Sequence, residues 1–121
     1  MYRLQIQTSI SAAHFLQEYD GNCSVLHGHN WKIEVIVKSD QVDKVGMVID
    51  FKDLKEITWQ VAGNYDHRVF NEVPPFNTQN PTAENISRHF YREISKRLPV
   101  GVNMDRIRLW ETDNYAIEYS E

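Results

Sequence analysis

The chain has 121 residues, 41% of them hydrophobic and 25% charged, with a formal charge of −4 and a single cysteine. That length holds one domain with one modest core, taken here as residues 1–121. It lacks an apolar run long enough for a membrane, a basic-then-apolar leader and the cysteines for an internal disulfide, so a cytoplasmic location is expected. Acidic and basic residues are interspersed, which argues against a nucleic-acid footprint but leaves room for a local basic pocket for a phosphorylated substrate.

Tyr2, Leu4, Ile6, Thr8 and Ile10 alternate with Arg3, Gln5, Gln7 and Ser9, the pattern of a half-buried strand. Asp20-Gly21-Asn22 predicts a turn within residues 18–24. A second strand is expected from about His27 to Lys38, with Trp31, Ile33, Val35 and Val37 on one face, followed by a polar connection over residues 39–46. Asp50 can cap a helix that starts near Phe51, with Phe51, Leu54, Ile57 or Thr58, and Val61 as its apolar positions and Gly63-Asn64 as its end. Residues 66–81 contain three prolines and several asparagines and read as irregular. Thr82 is the natural N-cap of a second helix with the stripe Ile86, Phe90, Ile94 and Leu98, closed by Pro99 to Gly101. Ile107 and Leu109, then Tyr115, Ile117 and Tyr119, alternate through two final strands joined at Asp113-Asn114. The order strand-strand-helix-helix-strand-strand predicts an α+β fold: an antiparallel four-stranded sheet with two helices on one face. Four strands leave two bare edges, so pairing between subunits is expected.

The densest chemical signal is His27-Gly28-His29, with Cys23 four positions and His14 thirteen positions upstream of His27. Imidazoles spaced i, i+2 on a strand point to one face, and His14 can reach them from the neighbouring strand. Three nitrogen ligands with an open fourth position are the arrangement of a catalytic zinc. If Cys23 instead completes the shell, the site is closed and structural. If it stays outside, a nearby dication favours its thiolate and it is free to act as base or nucleophile. Asp66-His67 is either an exposed turn pair or a histidine tuned by a carboxylate to move protons. Glu111, by alternation on the face of Ile107 and Leu109, is either a solvated strand end or a bidentate acceptor for an amidine-like heterocycle edge.

Ala12-Ala13-His14-Phe15, Cys23 to Trp31, Gly46 to Phe51, Asp66-His67, Asn80 to Asn85 and Trp110-Glu111-Thr112 resemble, in order, the motifs of the 6-pyruvoyl-tetrahydropterin synthase and 6-carboxy-tetrahydropterin synthase family, along nearly the whole chain. The resemblance implies the tunnelling fold, zinc on His14, His27 and His29, Cys23 as the catalytic base, and Asp66 and His67 assisting proton transfer. It further implies that Glu111 anchors the pterin and joins the catalytic relay, and that Thr82 and Glu84 line the site. Family members assemble as trimers stacked into hexamers with active sites between subunits, and act on 7,8-dihydroneopterin triphosphate. Only three residues separate Cys23 from His27, which resembles the carboxy enzymes of queuosine biosynthesis; these release acetaldehyde and triphosphate to leave 6-carboxy-5,6,7,8-tetrahydropterin. Leu98 to Val102 and Glu111 to Asn114 look more like the pyruvoyl enzymes, which eliminate triphosphate. A non-catalytic zinc-stabilised ligand-binding module is the rival of a different class, and a zinc hydrolase with an incidental Cys23 is a third reading.

Overall fold

The computed structural model describes residues 1–121, the side chain of Asn22 excepted. In chain order the regular elements are β1 (Tyr2–His14), β2 (His27–Ser39), α1 (Phe51–Ala62), β3 (Arg68–Val69), α2 (Ala83–Ser95), β4 (Asn103–Thr112) and β5 (Tyr115–Tyr119). The alternation of the first ten residues continues as far as His14. β1 and β2 pair antiparallel along their full lengths, from Tyr2 opposite Ser39 to His14 opposite His27.

Four antiparallel strands are expected from periodicity; the sheet has five, in the order β3-β1-β2-β4-β5. It is mixed, because β3 runs parallel to β1 beside Ala12 and Ala13. β3 lies in the stretch read as irregular, and a strand of two residues offers no alternation to detect. The expected helices on one face are present. Ile10, Trp31, Ile33, Val35, Ile107 and Leu109 from the sheet are buried with Leu54 and Val61 of α1 and with Ile86, Phe90 and Ile94 of α2. Phe70 and Phe76, from the connection between the helices, join the same core.

The helix termini follow their local chemistry. Asp50 caps α1 by accepting from the Lys52 N–H at 2.8 Å, and Thr82 caps α2 by accepting from the Asn85 N–H at 3.0 Å. Two details differ from the expected pattern: Phe51 is 58% exposed, and α2 ends at Ser95, ahead of Leu98 and of the expected close at Pro99 to Gly101. Of the two candidates one turn on from Leu54, Thr58 is the buried one. The Thr58 hydroxyl is satisfied by donating to the Leu54 carbonyl at 2.9 Å, so the β-branched residue is buried without an orphaned polar atom. Gly63 ends α1 in the right-handed region (φ −61°), and the chain continues into a 3₁₀ turn, Gly63–Tyr65.

The opposite face of the sheet is polar but not bare. Glu34, buried between strands, accepts from Arg108 Nη1 at 3.1 Å, and Arg108 Nη2 reaches Glu118 at 2.7 Å. No helix among the described residues is long and apolar enough to cross a membrane. Replacing the cap in Thr82→Ala leaves one N-terminal donor of α2 unpaired, and the expected cost is about 1 kcal/mol. The urea unfolding midpoint should fall with an unchanged slope, whereas a midpoint equal to that of the wild type would remove the cap from the energetics of α2.

Candidate functional site

β1 ends and β2 begins at the same end of the sheet, so their paired residues His14 and His27 lie side by side. The ring centroids of His14 and His27 are 4.6 Å apart, and those of His27 and His29 are 4.8 Å apart. Trp31, fully buried on the same face, packs edge-on against His14 and His29 at 5.0 and 5.2 Å and donates its indole N–H to the Ala12 carbonyl at 3.1 Å. One ligand-type atom from each of His14, His27, His29 and Glu111 lies within 4.8 Å of every other.

The protons of two rings can be assigned from their partners. His14 Nδ1 lies 2.8 Å from the Pro81 carbonyl, and His27 Nδ1 lies 2.6 Å from the Val25 carbonyl. A carbonyl only accepts, so in each neutral ring Nδ1 carries the proton and Nε2 carries the lone pair. Glu111 Oε1 lies 3.2 Å from His14 Nε2 and 3.2 Å from His29 Nε2. At His14 a lone pair facing a carboxylate oxygen is not a hydrogen bond, and among the described residues neither of the two buried Nε2 atoms has a hydrogen-bonding partner. Burial holds His14 and His29 below the ordinary histidine range, against the attraction of Glu111, and so favours their neutral rings. The result is a cluster of electron-pair donors facing one another, with backbone carbonyls orienting two of the imidazoles from behind. That donor set fits a divalent metal ion.

Cys23 does not belong to this cluster among the described residues. It lies half-buried in a 3₁₀ turn, Asn22–Ser24, as a free thiol. Its carbonyl accepts from the Leu16 N–H at 2.8 Å, which ties the turn back to the chain leaving β1. Asp66 and His67 sit beside β1. Asp66 Oδ1 accepts from the Ser11 N–H at 2.9 Å, and the His67 N–H donates to the Ser11 carbonyl. His67 has φ 58°, in the left-handed region, and its exposed ring lies 3.8 Å from Asp66 Oδ2. An open cleft of about 650 Å³ runs past His29, Gly28, Ser11, His67 and Arg68. Thr82 is engaged in capping α2 through its hydroxyl, and Glu84 is exposed in the first turn of that helix. Neither the Pro81 carbonyl nor Trp31 figures among the site residues expected from sequence. The Asn80-Pro81-Thr82 stretch is visible there only as a helix start, because a backbone acceptor has no side-chain signature.

The family profile described as 6-pyruvoyl tetrahydropterin synthase matches residues 3–121. A 6-carboxy-5,6,7,8-tetrahydropterin synthase of Rickettsia felis is 30% identical over 138 aligned positions, covering 98% of this chain and 99% of that protein. A dihydroneopterin monophosphate aldolase of Pyrococcus furiosus is 35% identical over 118 positions, covering 96% and 95%. The solved structure of Caenorhabditis elegans 6-pyruvoyl tetrahydropterin synthase superposes with a TM-score of 0.86 at 26% identity, over 99% of this chain and 95% of that one. With a profile match spanning almost its whole length and a fold to match, this chain belongs to the 6-pyruvoyl tetrahydropterin synthase family.

Proposed function

We propose that this protein is a zinc-dependent lyase that converts 7,8-dihydroneopterin triphosphate and water to 6-carboxy-5,6,7,8-tetrahydropterin, releasing acetaldehyde and triphosphate, on the route to queuosine in the cytoplasm. The observation that carries the proposal is the convergence of His14, His27 and His29 on one point, with Nε2 lone pairs turned inward at His14 and His27 and Cys23 outside the set. The name borne by the Rickettsia felis relative supports the reaction. The bare edge of β5 and the part of β1 beyond the reach of β3 support assembly with further copies as a trimer or hexamer, with sites completed between subunits.

His14, His27 and His29 would hold the zinc, which when bound supplies Lewis acidity toward the hydroxyls of the substrate side chain. Cys23, as thiolate, removes the carbon-bound proton next to a polarised oxygen. His67 has an exposed ring at the cleft and is free to relay that proton. Asp66 holds the His67 backbone against Ser11, and its second oxygen faces the imidazole. Glu111 lies at the rim of the histidine cluster, where its carboxylate can take the amidine-like edge of the pterin and so fix the side chain toward the imidazoles and the thiol.

A second reading rests on the name of the Pyrococcus furiosus relative, which supports an aldolase acting on dihydroneopterin monophosphate, in which the same base would serve carbon–carbon cleavage of the side chain.

Incubation of the metal-loaded protein with dihydroneopterin triphosphate and, separately, with the monophosphate, followed by mass analysis, distinguishes the readings. 6-Carboxy-tetrahydropterin from the triphosphate is the expected product; the pyruvoyl product, or cleavage of the monophosphate alone, would replace the proposal with the corresponding alternative. Cys23→Ala should keep the metal and lose turnover by at least about a hundredfold, the usual scale for a general base. Near-normal turnover in that variant would exclude the cysteine and favour a metal-bound hydroxide chemistry. His27→Ala should lose metal by elemental analysis while keeping its circular dichroism and cooperative unfolding, since the core is complete without the site. Unfolding on metal loss would point to the non-catalytic zinc-stabilised module instead.

A further inference from the structure

Beyond His14 the chain runs out past the end of the β1–β2 pairing and then turns at Glu18, whose φ of 59° is left-handed. In an extended stretch the N–H and C=O of alternate residues point to the same side. Along β1 the odd-numbered residue Ser11 offers its two groups to Asp66 and His67, and β3 covers the strand at Ala12 and Ala13. Phe15 and Gln17 continue that odd-numbered row, and among the described residues no strand lies beside them. Each meets an asparagine side chain instead. The Phe15 N–H donates to Asn71 Oδ1 at 3.0 Å, and the Phe15 carbonyl accepts from Asn71 Nδ2 at 2.9 Å. The Gln17 N–H donates to Asn80 Oδ1 at 3.0 Å, and the Gln17 carbonyl accepts from Asn80 Nδ2 at 3.1 Å. A carboxamide has an acceptor and a donor on one planar group, so each side chain reproduces both bonds that a neighbouring strand would supply.

The intervening residue points the other way, and its N–H is the group that holds the Cys23 carbonyl at 2.8 Å. The turn carrying Cys23 therefore hangs on the far side of a strip of backbone that Asn71 and Asn80 grip from behind. Both asparagines are themselves anchored. Asn71 follows the fully buried Phe70, and the Asn80 carbonyl accepts from Asn85 Nδ2 at 2.9 Å. The carbonyl next after Asn80, that of Pro81, is the one that orients His14. One short stretch ahead of α2 thus sets both a metal-ligand candidate and the support of the thiol.

We infer that Asn71 and Asn80 are positioning residues for Cys23: their carboxamides stand in for a neighbouring strand beside Phe15 and Gln17 and hold the Leu16–Cys23 backbone contact that fixes the turn carrying the thiol. This rests on the reading of Cys23 as the catalytic base, but its physical content is separable. With the metal-loaded full chain, Asn80→Ala and Asn71→Ala are compared with the wild type by four measurements: metal content, amide hydrogen exchange, alkylation of the single cysteine by iodoacetamide, and steady-state kinetics with dihydroneopterin triphosphate. Metal content and circular dichroism should stay at wild-type values. Exchange should speed up at Gln17 in Asn80→Ala and at Phe15 in Asn71→Ala, and Cys23 should alkylate roughly tenfold faster, the scale set by losing two neutral hydrogen bonds. kcat should fall roughly tenfold with KM changed by less than about twofold, because the ring and the metal ligands are untouched. Wild-type exchange and alkylation in both variants, or a kcat loss that only tracks lost metal, would overturn the inference. A wild-type protein that turns over neither pterin phosphate defeats the proposed reaction alone, and the exchange and alkylation results then decide the clamp. If Asn80→Ala does not fold, Asn80→Ser is read by the same criteria.

Discussion

A slip of one residue in the pairing of β1 with β2 would carry His27 and His29 to the opposite face of the sheet, because side chains alternate with a period of two. His14 would then be left facing backbone. Thirteen consecutive pairs hold the register, and burial on both faces enforces it. On the helix side Trp31, Ile33, Val35 and Val37 are completely or almost completely buried, and on the other side Glu34 is buried against Arg108. Trp31 contributes twice. Its burial penalises any shift of β2, on the scale of the ~3–5 kcal/mol that truncating a core tryptophan costs. Its ring also forms the floor on which His14 and His29 stand. The packing that specifies the sheet and the packing that shapes the site are therefore the same.

The second constraint comes from outside the sheet. His14 takes its tautomer from Pro81, and His27 takes its own from Val25 just ahead of it. Val25 is local, but Pro81 belongs to the approach to α2. The same approach supplies the α2 cap at Thr82 and the amide of Asn80 that grips Gln17. Helix capping, ligand orientation and the support of the Cys23 turn are consequently mechanically connected: displacing the start of α2 would disturb all three. Such second-layer contacts decide how basic a ligand is and where it points, which explains why a site described only by its ligands is incomplete.

Most of the architecture is legible in the sequence. Asp50 and Thr82 as caps, the long alternations that became β1, β2, β4 and β5, and the apolar stripe of α2 all depend on residues within a few positions of one another. The direction of Glu111 followed from the same alternation, since Ile107, Leu109 and Glu111 share a face. β3 leaves no mark in the sequence because a strand of two residues has no alternation, and the surrounding prolines break the pattern rather than announce an edge. The burial of Thr58 in place of Ile57 could not be chosen from spacing, because both fit a helical stripe and only the neighbouring elements decide which is covered.

What the residues determined by themselves is the order of the long strands and the two helices, the helix starts, and the shared face of His27 and His29, because periodicity and capping are short-range properties of the chain. What only the tertiary structure decided is that Glu111 rather than Cys23 stands with the imidazoles, that a proline carbonyl sets the His14 tautomer, and that Asn71 and Asn80 substitute for a strand. These contacts join residues 56 to 97 positions apart. They arise when two folded elements meet, and neither partner alone carries a local preference that would announce them.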